Sequence, residues 1–237
     1  MKIKQNNAHE FALFFTTLAA TKDTLTIKDP HVVQRITTIL RLKPGGSIIL
    51  FNQTHHARFT CALFSRKEVS GTLGTLQKNK ELTPHITVLL PLLKRDALEA
   101  AVYGLTECGA NSIQLITTEK VHRKWQRQKE LERLQRIIIA AAEQSKHFAL
   151  PTLLAPINLQ EAVEQLGGTQ LLFADAKGGR LPLLKSGKVN LLVGPEGDLS
   201  LSEKEFITQK NALFFKLTPT ILRAQQAAII ALSLLRI

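Results

Sequence analysis

The sequence has few cysteines and few aromatic residues other than phenylalanine. Its 237 residues include two cysteines, one tryptophan and one tyrosine. Cys61 and Cys108 are too few for a disulfide framework, and each is expected to be a small buried apolar residue in a reducing cytosol. Long apolar runs are also missing, because the tracts at residues 137–142 and 227–235 are too short to span a membrane and the first ten residues do not resemble a signal peptide. A cytoplasmic protein is therefore expected.

Common nucleotide-binding and catalytic motifs are absent as well. No GxxxxGK[ST] segment occurs and no GxGxxG follows an apolar strand, which excludes a P-loop and a dinucleotide-binding fingerprint. His55 and His56 have no partners at metal-ligand spacing, so no metal site is expected. No GxSxG segment and no Cys/His pairing indicates a covalent nucleophile. The function must therefore rest on other features.

Positive charge is abundant. The formal net charge is +12, with a pI of about 9.9, and such an excess favours a polyanionic partner, most often a nucleic acid. Residues 1–80 hold 12 Lys and Arg against 4 Asp and Glu, which is +8 of that total. A helix predicted to begin at Asp29 and Pro30 leaves Arg35, Arg41 and Lys43 pointing outward as candidate phosphate contacts.

A second basic cluster lies in residues 120–146, which contain eight basic residues and only three glutamates. It includes Arg123 and Lys124, which are further candidates for RNA phosphate contacts. A solvated helix face is the alternative, because several of its charges lie one helical turn apart. Trp125 could stack on a base, but its position beside a helix start favours a role in the core.

The pattern of apolar runs changes near residue 80. Before it, short runs at 11–15, 24–27, 47–51, 58–64 and 67–75 predict a small β-barrel or sandwich. Residues 76–84 are polar, end in proline and are predicted to be a linker. After it, candidate strands alternate with helices, which predicts an α/β domain with a mostly parallel sheet and helices on both faces. The predicted strands are 86–90, 112–117, 170–174, 191–193 and 213–217, and the predicted helices are 94–108, 124–144, 159–166, 200–209 and 224–235.

Residues 190–205, NLLVGPEGDLSLSEKE, combine a buried strand, a tight turn and a helix start. Proline at the second position and glycine at the fourth predict a type I turn over residues 194–197 that exposes its main chain to a ligand. Ser200 and Glu203 predict a capping box. Because open parallel sheets bind ligands at the carboxyl ends of their strands, this turn is a candidate binding edge. An ordinary connection that binds nothing is the alternative.

The last predicted helix is apolar on nearly all sides after Gln226. Such a helix has to be buried, either by a partner subunit, which predicts a homodimer through the C-terminal helix, or within its own domain.

Two loops that follow the last predicted strands resemble one known family. The segment LLVGPEGDLSLSE, followed by LTPTILRAQQAAIIAL, resembles the signature of the RsmE-type 16S ribosomal RNA (uridine-N3) methyltransferase family of the SPOUT class. The segments RITTILRLKPGGSIILFN, TECGANSIQLITTEK and AAEQSK match the same family in the same order. The resemblance therefore covers nearly the whole chain.

This resemblance implies two domains. Residues 1–80 would form a PUA-like β-barrel that binds RNA, and residues 81–237 a SPOUT α/β domain with a deep trefoil knot that binds S-adenosylmethionine. The implied reaction is methylation of ring N3 of a uridine in 16S ribosomal RNA, supplied as free rRNA or within the assembled small ribosomal subunit. The resemblance also implies an obligate homodimer.

The resemblance, joined to the loop positions, also predicts the site residues. Arg223 is the candidate catalytic residue, which would stabilise the negative charge that develops on the uracil ring. Phosphates would be held by Arg35, Arg41, Lys43, Arg123 and Lys124. The predicted cofactor-binding residues are Leu172, Phe173, Gly194, Pro195, Glu196, Gly197, Leu217, Thr218, Ile221 and Leu222.

The chain departs from the family pattern in both loops. Asp198 stands where the family usually has a glycine. In the last loop Thr218 replaces a glycine, Thr220 an arginine, Ala224 a threonine and Gln225 a glutamate, whereas Ile221, Leu222 and Arg223 are kept. Two alternatives therefore stay open: a non-enzymatic RNA-binding member of the same fold, and a SPOUT methyltransferase with a different RNA target.

Overall fold

The computed structural model describes residues 10–18, 23–121, 123–184 and 187–237. The chain divides into two compact units. The first unit consists of Met1–Lys80 and Ala142–Ala149, and the second of Glu81–Ala141 and Leu150–Ile237. Nothing in the sequence predicts that residues 142–149 group with the first unit.

A six-stranded sheet forms the first unit. Its strands are β1 (Ala12–Phe14), β2 (Thr24–Ile27), β3 (Ser47–Phe51), β4 (His55–Phe64), β5 (Val69–Leu73) and β6 (Gln77–Lys78). Their order is β1-β3-β4-β5-β2, with β6 beside β4. Among the described residues no pairing joins β1 to β2, so the sheet is open there, where the sequence suggested a barrel or sandwich. The predicted linker contains β6, which pairs with His55 and His56 of β4.

The helix of the first unit begins as predicted. Asp29 caps α1 (Pro30–Gln34) by accepting hydrogen bonds from the amides of His31 and Val32. The chain continues as a π-helical turn, Arg35–Ile39, in which the Leu40 amide donates to the Arg35 carbonyl oxygen at 2.8 Å. The helical turns end with this wider turn, at residue 39.

The second unit has a six-stranded sheet in which every pair is parallel, which confirms the predicted βαβ series. Its strands are β7 (His85–Pro91), β8 (Ser112–Thr117), β9 (Thr152–Asn158), β10 (Gln170–Gly179), β11 (Lys188–Val193) and β12 (Leu213–Phe215), in the order β12-β10-β11-β7-β8-β9. Strand β9 was not predicted. It is an edge strand that contains a proline and is largely exposed, so its sequence lacks the apolar alternation of a buried strand.

Helices cover both faces of this sheet. They are α2 (Arg95–Glu107), α3 (Arg127–Ser145), α4 (Leu159–Glu164), α5 (Leu201–Gln209) and α6 (Ala224–Arg236). Successive strand residues point to opposite faces: Val88 and Leu90 belong to the core cluster under α2 and α6, whereas Leu89 belongs to the cluster under α4 and α5. This two-layer burial explains the continuous apolar runs of β7 and β11.

Helix α6 buries one side within its own unit. At Gly104 of α2 an added Cβ would lie 2.5 Å from Cδ1 of Ile229, so the two helices are in close contact there. The guanidinium of Arg236 donates to the Pro84 carbonyl oxygen and to Oδ1 of Asn111, and burial lowers its pKa. The buried side of α6 is therefore covered within its own unit, which is the second of the two alternatives that the sequence left open. None of the helices in the described residues has the length and apolar character that a membrane span requires.

Candidate active site

A cavity of about 1210 Å³ lies at the carboxyl ends of three neighbouring strands, β10, β11 and β12. Its walls come from the end of β10 (residues 174–177), the loop after β11 (194–198), the loop after β12 (217–223) and the start of α2 (94–97). Parallel strands that are adjacent in a sheet bring the loops at their carboxyl ends together, which is why these four segments meet.

Most of the predicted cofactor-binding residues line this cavity, and so does Arg223. The lining residues from that set are Gly194, Pro195, Glu196, Gly197, Leu217, Thr218, Ile221 and Leu222. Leu172 and Phe173 do not line it, because they are 0% and 1% exposed in the core on opposite faces of the sheet. Phe173 instead lies next to a residue of the cavity wall, because its ring centroid is 5.7 Å from Nζ of Lys204.

The turn after β11 is shifted by one residue from its predicted position. The Asp198 amide donates to the Pro195 carbonyl oxygen at 2.9 Å, so the turn covers residues 195–198 rather than 194–197. Asp198 has φ 59°, a left-handed conformation that favours glycine and, among other residues, asparagine and aspartate. The conformation explains why the related family usually has glycine here and why aspartate is tolerated.

Lys204 of α5 holds this turn in place. Its Nζ lies 2.6 Å from Oδ2 of Asp198 and 2.7 Å from Oδ2 of Asp175 at the end of β10. Partial burial acts to raise the pKa of Asp175, but the hydrogen bond from Lys204, with smaller contributions from Lys177, outweighs it and the pKa is lowered. Burial acts to lower the pKa of Lys204, and the two carboxylates outweigh it and raise that pKa. The three groups therefore form a charged clamp at the cavity wall.

A second set of contacts ties the segment after the turn to the chain following β8. Nζ of Lys120 donates to the carbonyl oxygens of Gly197 and Leu199, at 2.8 and 3.1 Å. Glu203 is 1% exposed and accepts from the amides of Glu119 and Ser200, both at 2.8 Å. The Ser200–Glu203 capping box is confirmed. Because the turn is fixed from both sides, its shape is set before a ligand binds.

The loop after β12 is held mostly by its own atoms. Oγ1 of Thr218 donates to the Thr220 carbonyl oxygen at 2.7 Å, while the side chain of Ile221 is 90% exposed. Arg223 is the N-cap residue of α6, with an extended backbone and an exposed side chain. Oε1 of Gln225, a residue of the cavity wall, is buried and has no hydrogen-bond partner among the described residues. An unpartnered acceptor at this place fits a site that binds a polar ligand.

Sequence reasoning missed Asp175, Lys204, Lys94 and Arg95. The rule that singled out the loops after β11 and β12 also applies to the ends of β7 and β10, and it would have found Asp175 and the start of α2. Lys204 carries no such signal, because its role depends on where α5 places it.

The predicted RNA-binding residues lie in both units, and none of these described side chains lines the cavity. In the first unit Arg35 donates to both carboxylate oxygens of Glu143, at 2.7 and 2.6 Å, and this hydrogen bonding raises its pKa despite partial burial. Arg41 and Lys43 are exposed. In the second unit Arg123 pairs with Glu130, whereas Lys124 is exposed. Trp125 packs against the core, as favoured from the sequence.

The chain is similar in sequence and in fold to several known proteins. The chain is similar to the ribosomal RNA small subunit methyltransferase E of Synechocystis sp., with 27% identity over 98% of this chain and 80% of the relative. It is also similar to the enzyme of that name from Rickettsia conorii, with 25% identity over 95% and 94% of the two chains. Its fold resembles the crystal structure of the Neisseria gonorrhoeae enzyme bound to S-adenosyl methionine, with a TM-score of 0.84 at 22% identity over 96% of this chain and 97% of that one. A family model described as the RNA methyltransferase domain matches residues 80–236, which is 157 of the 237 residues. The chain therefore belongs to the RNA methyltransferase domain family.

Proposed function

We propose that this protein transfers a methyl group from S-adenosylmethionine to ring N3 of a uridine in 16S ribosomal RNA. The observation that carries the proposal is the cavity in which both family loops and Arg223 meet at the carboxyl ends of β10, β11 and β12. The names of its relatives, which describe small-subunit ribosomal RNA methyltransferases, support the substrate class.

The residues of the cavity fit this cofactor. The cavity volume of about 1210 Å³ exceeds that of a typical pocket for one small molecule, which leaves room for a cofactor and a base. Gly194 and the main chain of residues 195–197 would hold the adenosine side, and the unpartnered Oε1 of Gln225 would accept a hydrogen bond from a polar group of the bound molecules. When bound, the cofactor supplies an electrophilic methyl group on a sulfonium sulfur.

Arg223 would stabilise the uracil during attack. As it takes up the methyl group, N3 would lose its proton to solvent, and the negative charge that develops would spread over the two carbonyl groups beside N3. A guanidinium stabilises such charge by hydrogen bonding and electrostatics, and Arg223 also lies at the N-terminus of α6, where the helix dipole favours a negative charge. The rest of the catalysis would be positioning, because the reaction needs the ring nitrogen in line with the breaking C–S bond.

The remaining parts of the proposal concern assembly. The sheet of the first unit would act as a PUA-like RNA-binding domain, with Arg41 and Lys43 as phosphate contacts. The family resemblance implies that the chain from β11 to α6 forms a trefoil knot, and the strand order β12-β10-β11 makes the connection from β11 to β12 pass β10. A cytoplasmic homodimer would form over the exposed side of α6, where Leu234 is 39% exposed. Light scattering of the purified protein would test this by giving the mass of a dimer.

Two other candidates rest on the altered loop after β12. A hydrogen bond between Thr218 and Thr220 closes this loop on itself. The arginine and the glutamate that are usual in the family are replaced here by Thr220 and Gln225. A methyltransferase with another RNA target, or an RNA-binding protein without activity, is consistent with that change.

The deciding experiment is mass spectrometry of ribosomal RNA from cells with and without the gene. N3-methyluridine in 16S rRNA should disappear on deletion, return with the wild-type gene and stay absent with Arg223→Ala. The purified Arg223→Ala protein should bind S-adenosylmethionine as the wild type does, and this separates loss of catalysis from loss of folding. An unchanged level of N3-methyluridine in the deletion strain contradicts the proposed substrate, and analysis of bulk RNA fractions would then reveal another target.

A further inference from the structure

A basic groove lies in the second unit beside the candidate active site. Its volume is about 530 Å³, and it is formed by the first turns of α2, the segment that precedes α3 and the first half of α3. Among the described side chains, six basic residues line it: Arg95, Arg123, Lys124, Lys129, Arg133 and Arg136. Three carboxylates, those of Glu99, Glu130 and Glu132, leave the groove with a net charge of +3.

Two of the glutamates fix arginines of the groove in place. Glu99 accepts hydrogen bonds from Nη2 of Arg133 at 3.0 Å and from Nε of Arg95 at 3.2 Å, and its Oε1 lies 2.5 Å from Nε of Arg133. Glu130 pairs with Arg123, whose Nη1 also donates to the Leu93 carbonyl oxygen at 2.9 Å. These arginines are thus ordered without a ligand, and their outward N–H groups lose little freedom when an anion binds.

The other three cations are exposed, and no described carboxylate is paired with them. Within the described chain, Lys124, Lys129 and Arg136 form no ion pair, and Arg136 only reaches the Glu132 carbonyl oxygen one turn away, at 3.4 Å. Lys129 and Arg136 are seven residues apart on α3, which puts them on the same face about 10 Å apart along the axis. Such a row of charges suits an extended polyanion better than a single small anion.

The groove adjoins the cavity. Arg95 lines both, and Lys94 beside it lines the cavity. We propose that the groove binds the sugar-phosphate backbone of the substrate RNA next to the nucleotide that enters the cavity. This inference rests on the proposed function, and it adds the surface that holds the flanking strand.

The test compares two matched triple variants. One changes Lys124, Lys129 and Arg136 to alanine in the groove. The control changes Arg180, Lys210 and Lys216 to alanine. These are three exposed cations outside the groove and the cavity, so the control removes the same amount of positive charge. Binding of a 16S rRNA fragment that contains the target uridine is measured from 50 to 300 mM KCl, and S-adenosylmethionine binding is measured by calorimetry.

The groove variant should bind the RNA at least about tenfold more weakly at low salt, and the slope of log K against log salt should decrease by about 2, because three phosphate contacts on a single strand each contribute about 0.7. Cofactor affinity should stay within about twofold of wild type, as expected of residues outside the cavity. The control variant should keep a slope close to the wild-type value, because its cations would not contact the RNA. At saturating RNA the groove variant should regain the wild-type turnover.

A wild-type protein that neither binds nor methylates the fragment contradicts the proposed function itself. If the wild type methylates it but the two triple variants share one salt slope, the proposed function stands and the groove assignment is wrong. The assignment is also wrong if the groove variant loses binding of a poly-glutamate peptide while RNA binding is unchanged, since an acidic protein would then be the occupant.

Discussion

Nζ of Lys204 lies 2.6 Å from Oδ2 of Asp198, so helix α5 is tied directly to the left-handed residue of the turn that borders the cavity. The same ammonium group is 2.7 Å from Asp175 at the end of β10. One side chain therefore links two neighbouring strand ends, and the turn does not depend on its own hydrogen bond alone. The shape of the cavity wall should respond to changes at Lys204.

Replacing Lys204 with methionine should lower both stability and cofactor affinity. The change keeps the side-chain length but leaves the Asp175 carboxylate, which is 8% exposed, without its ammonium partner. An unpaired buried group of this kind costs about 1–3 kcal/mol, and the released turn should weaken S-adenosylmethionine binding by about tenfold. Denaturant unfolding and calorimetry measure the two effects. Lys210→Met is the matched control, because Lys210 is exposed at the end of the same helix, and unchanged cofactor binding in Lys204→Met would contradict the role of the clamp.

Asp198 should tolerate glycine and not valine. At φ 59° glycine is unstrained, so Asp198→Gly loses the half-exposed ion pair and the hydrogen bond from the Leu199 amide, and it should bind the cofactor within about threefold of wild type. Valine in a left-handed conformation costs about 1–2 kcal/mol, which should distort the turn and reduce affinity further. Calorimetry on the two variants gives the comparison, and equal affinities would mean that the backbone conformation at residue 198 does not matter for binding.

The clamp should be insensitive to pH near neutrality. Because the pKa of Asp175 is lowered in the folded protein, this carboxylate contributes fully to the free energy of unfolding above its ordinary pKa of 3.8. That contribution is lost as the pH falls through the lower folded-state pKa. The raised pKa of Lys204 means that its contribution is present below 10.5 and is lost as the pH rises beyond the higher folded-state value. The difference in unfolding free energy between wild type and Lys204→Met should therefore be constant from about pH 5 to 9 and shrink below about pH 4. A difference that changes between pH 6 and 8 would point to another titrating group.

Gly197→Val should separate binding from folding. A Cβ at this position would be 3.7 Å from the flexible side chain of Lys120, an ordinary contact, so the unfolding free energy should change by less than about 0.5 kcal/mol. The added side chain would nevertheless project from a residue of the cavity wall, and cofactor binding should be lost. A variant that folds normally and still binds S-adenosylmethionine would remove residue 197 from the binding surface.

The sequence predicted the parallel sheet well because its central strands are unambiguous. Leu191 to Val193 form a continuous apolar run, and such runs arise where both faces of a strand are covered. Strand β9 was missed for the opposite reason: at the sheet edge, with Pro156 and several exposed residues, it carries no periodic signal. The grouping of residues 142–149 with the first unit was also beyond sequence reasoning, since Glu143 finds Arg35 108 positions earlier in the chain.

At the site, the two loops could be predicted and their support could not. Turns and helix caps depend on residues three or four positions apart, so the roles of Pro195, Ser200 and Glu203 could be predicted from the sequence. Even there the turn lies one residue later, because Asp198 adopts a conformation that the prediction assigned to no residue. Lys120 is 77 positions from Gly197 and Lys204 is 29 from Asp175. Contacts over such distances depend on the order of strands in the sheet, and local patterns do not encode it.

The close contact between α2 and α6 gives the last prediction. Gly104→Val would place side-chain carbons on Ile229, where Cδ1 and Cγ1 lie 2.5 and 2.8 Å from the ideal Cβ position. Overpacking of this kind should reduce stability by about 2 kcal/mol or more. Ile229→Ala removes the obstructing atoms, so the double variant should be at least about 1 kcal/mol more stable than the sum of the two single effects predicts. Gly187→Val is the control, since an added Cβ there meets nothing within 4 Å. Urea unfolding of the four variants and the wild type measures the coupling, and strictly additive effects would show that α6 moves away from α2 at no cost.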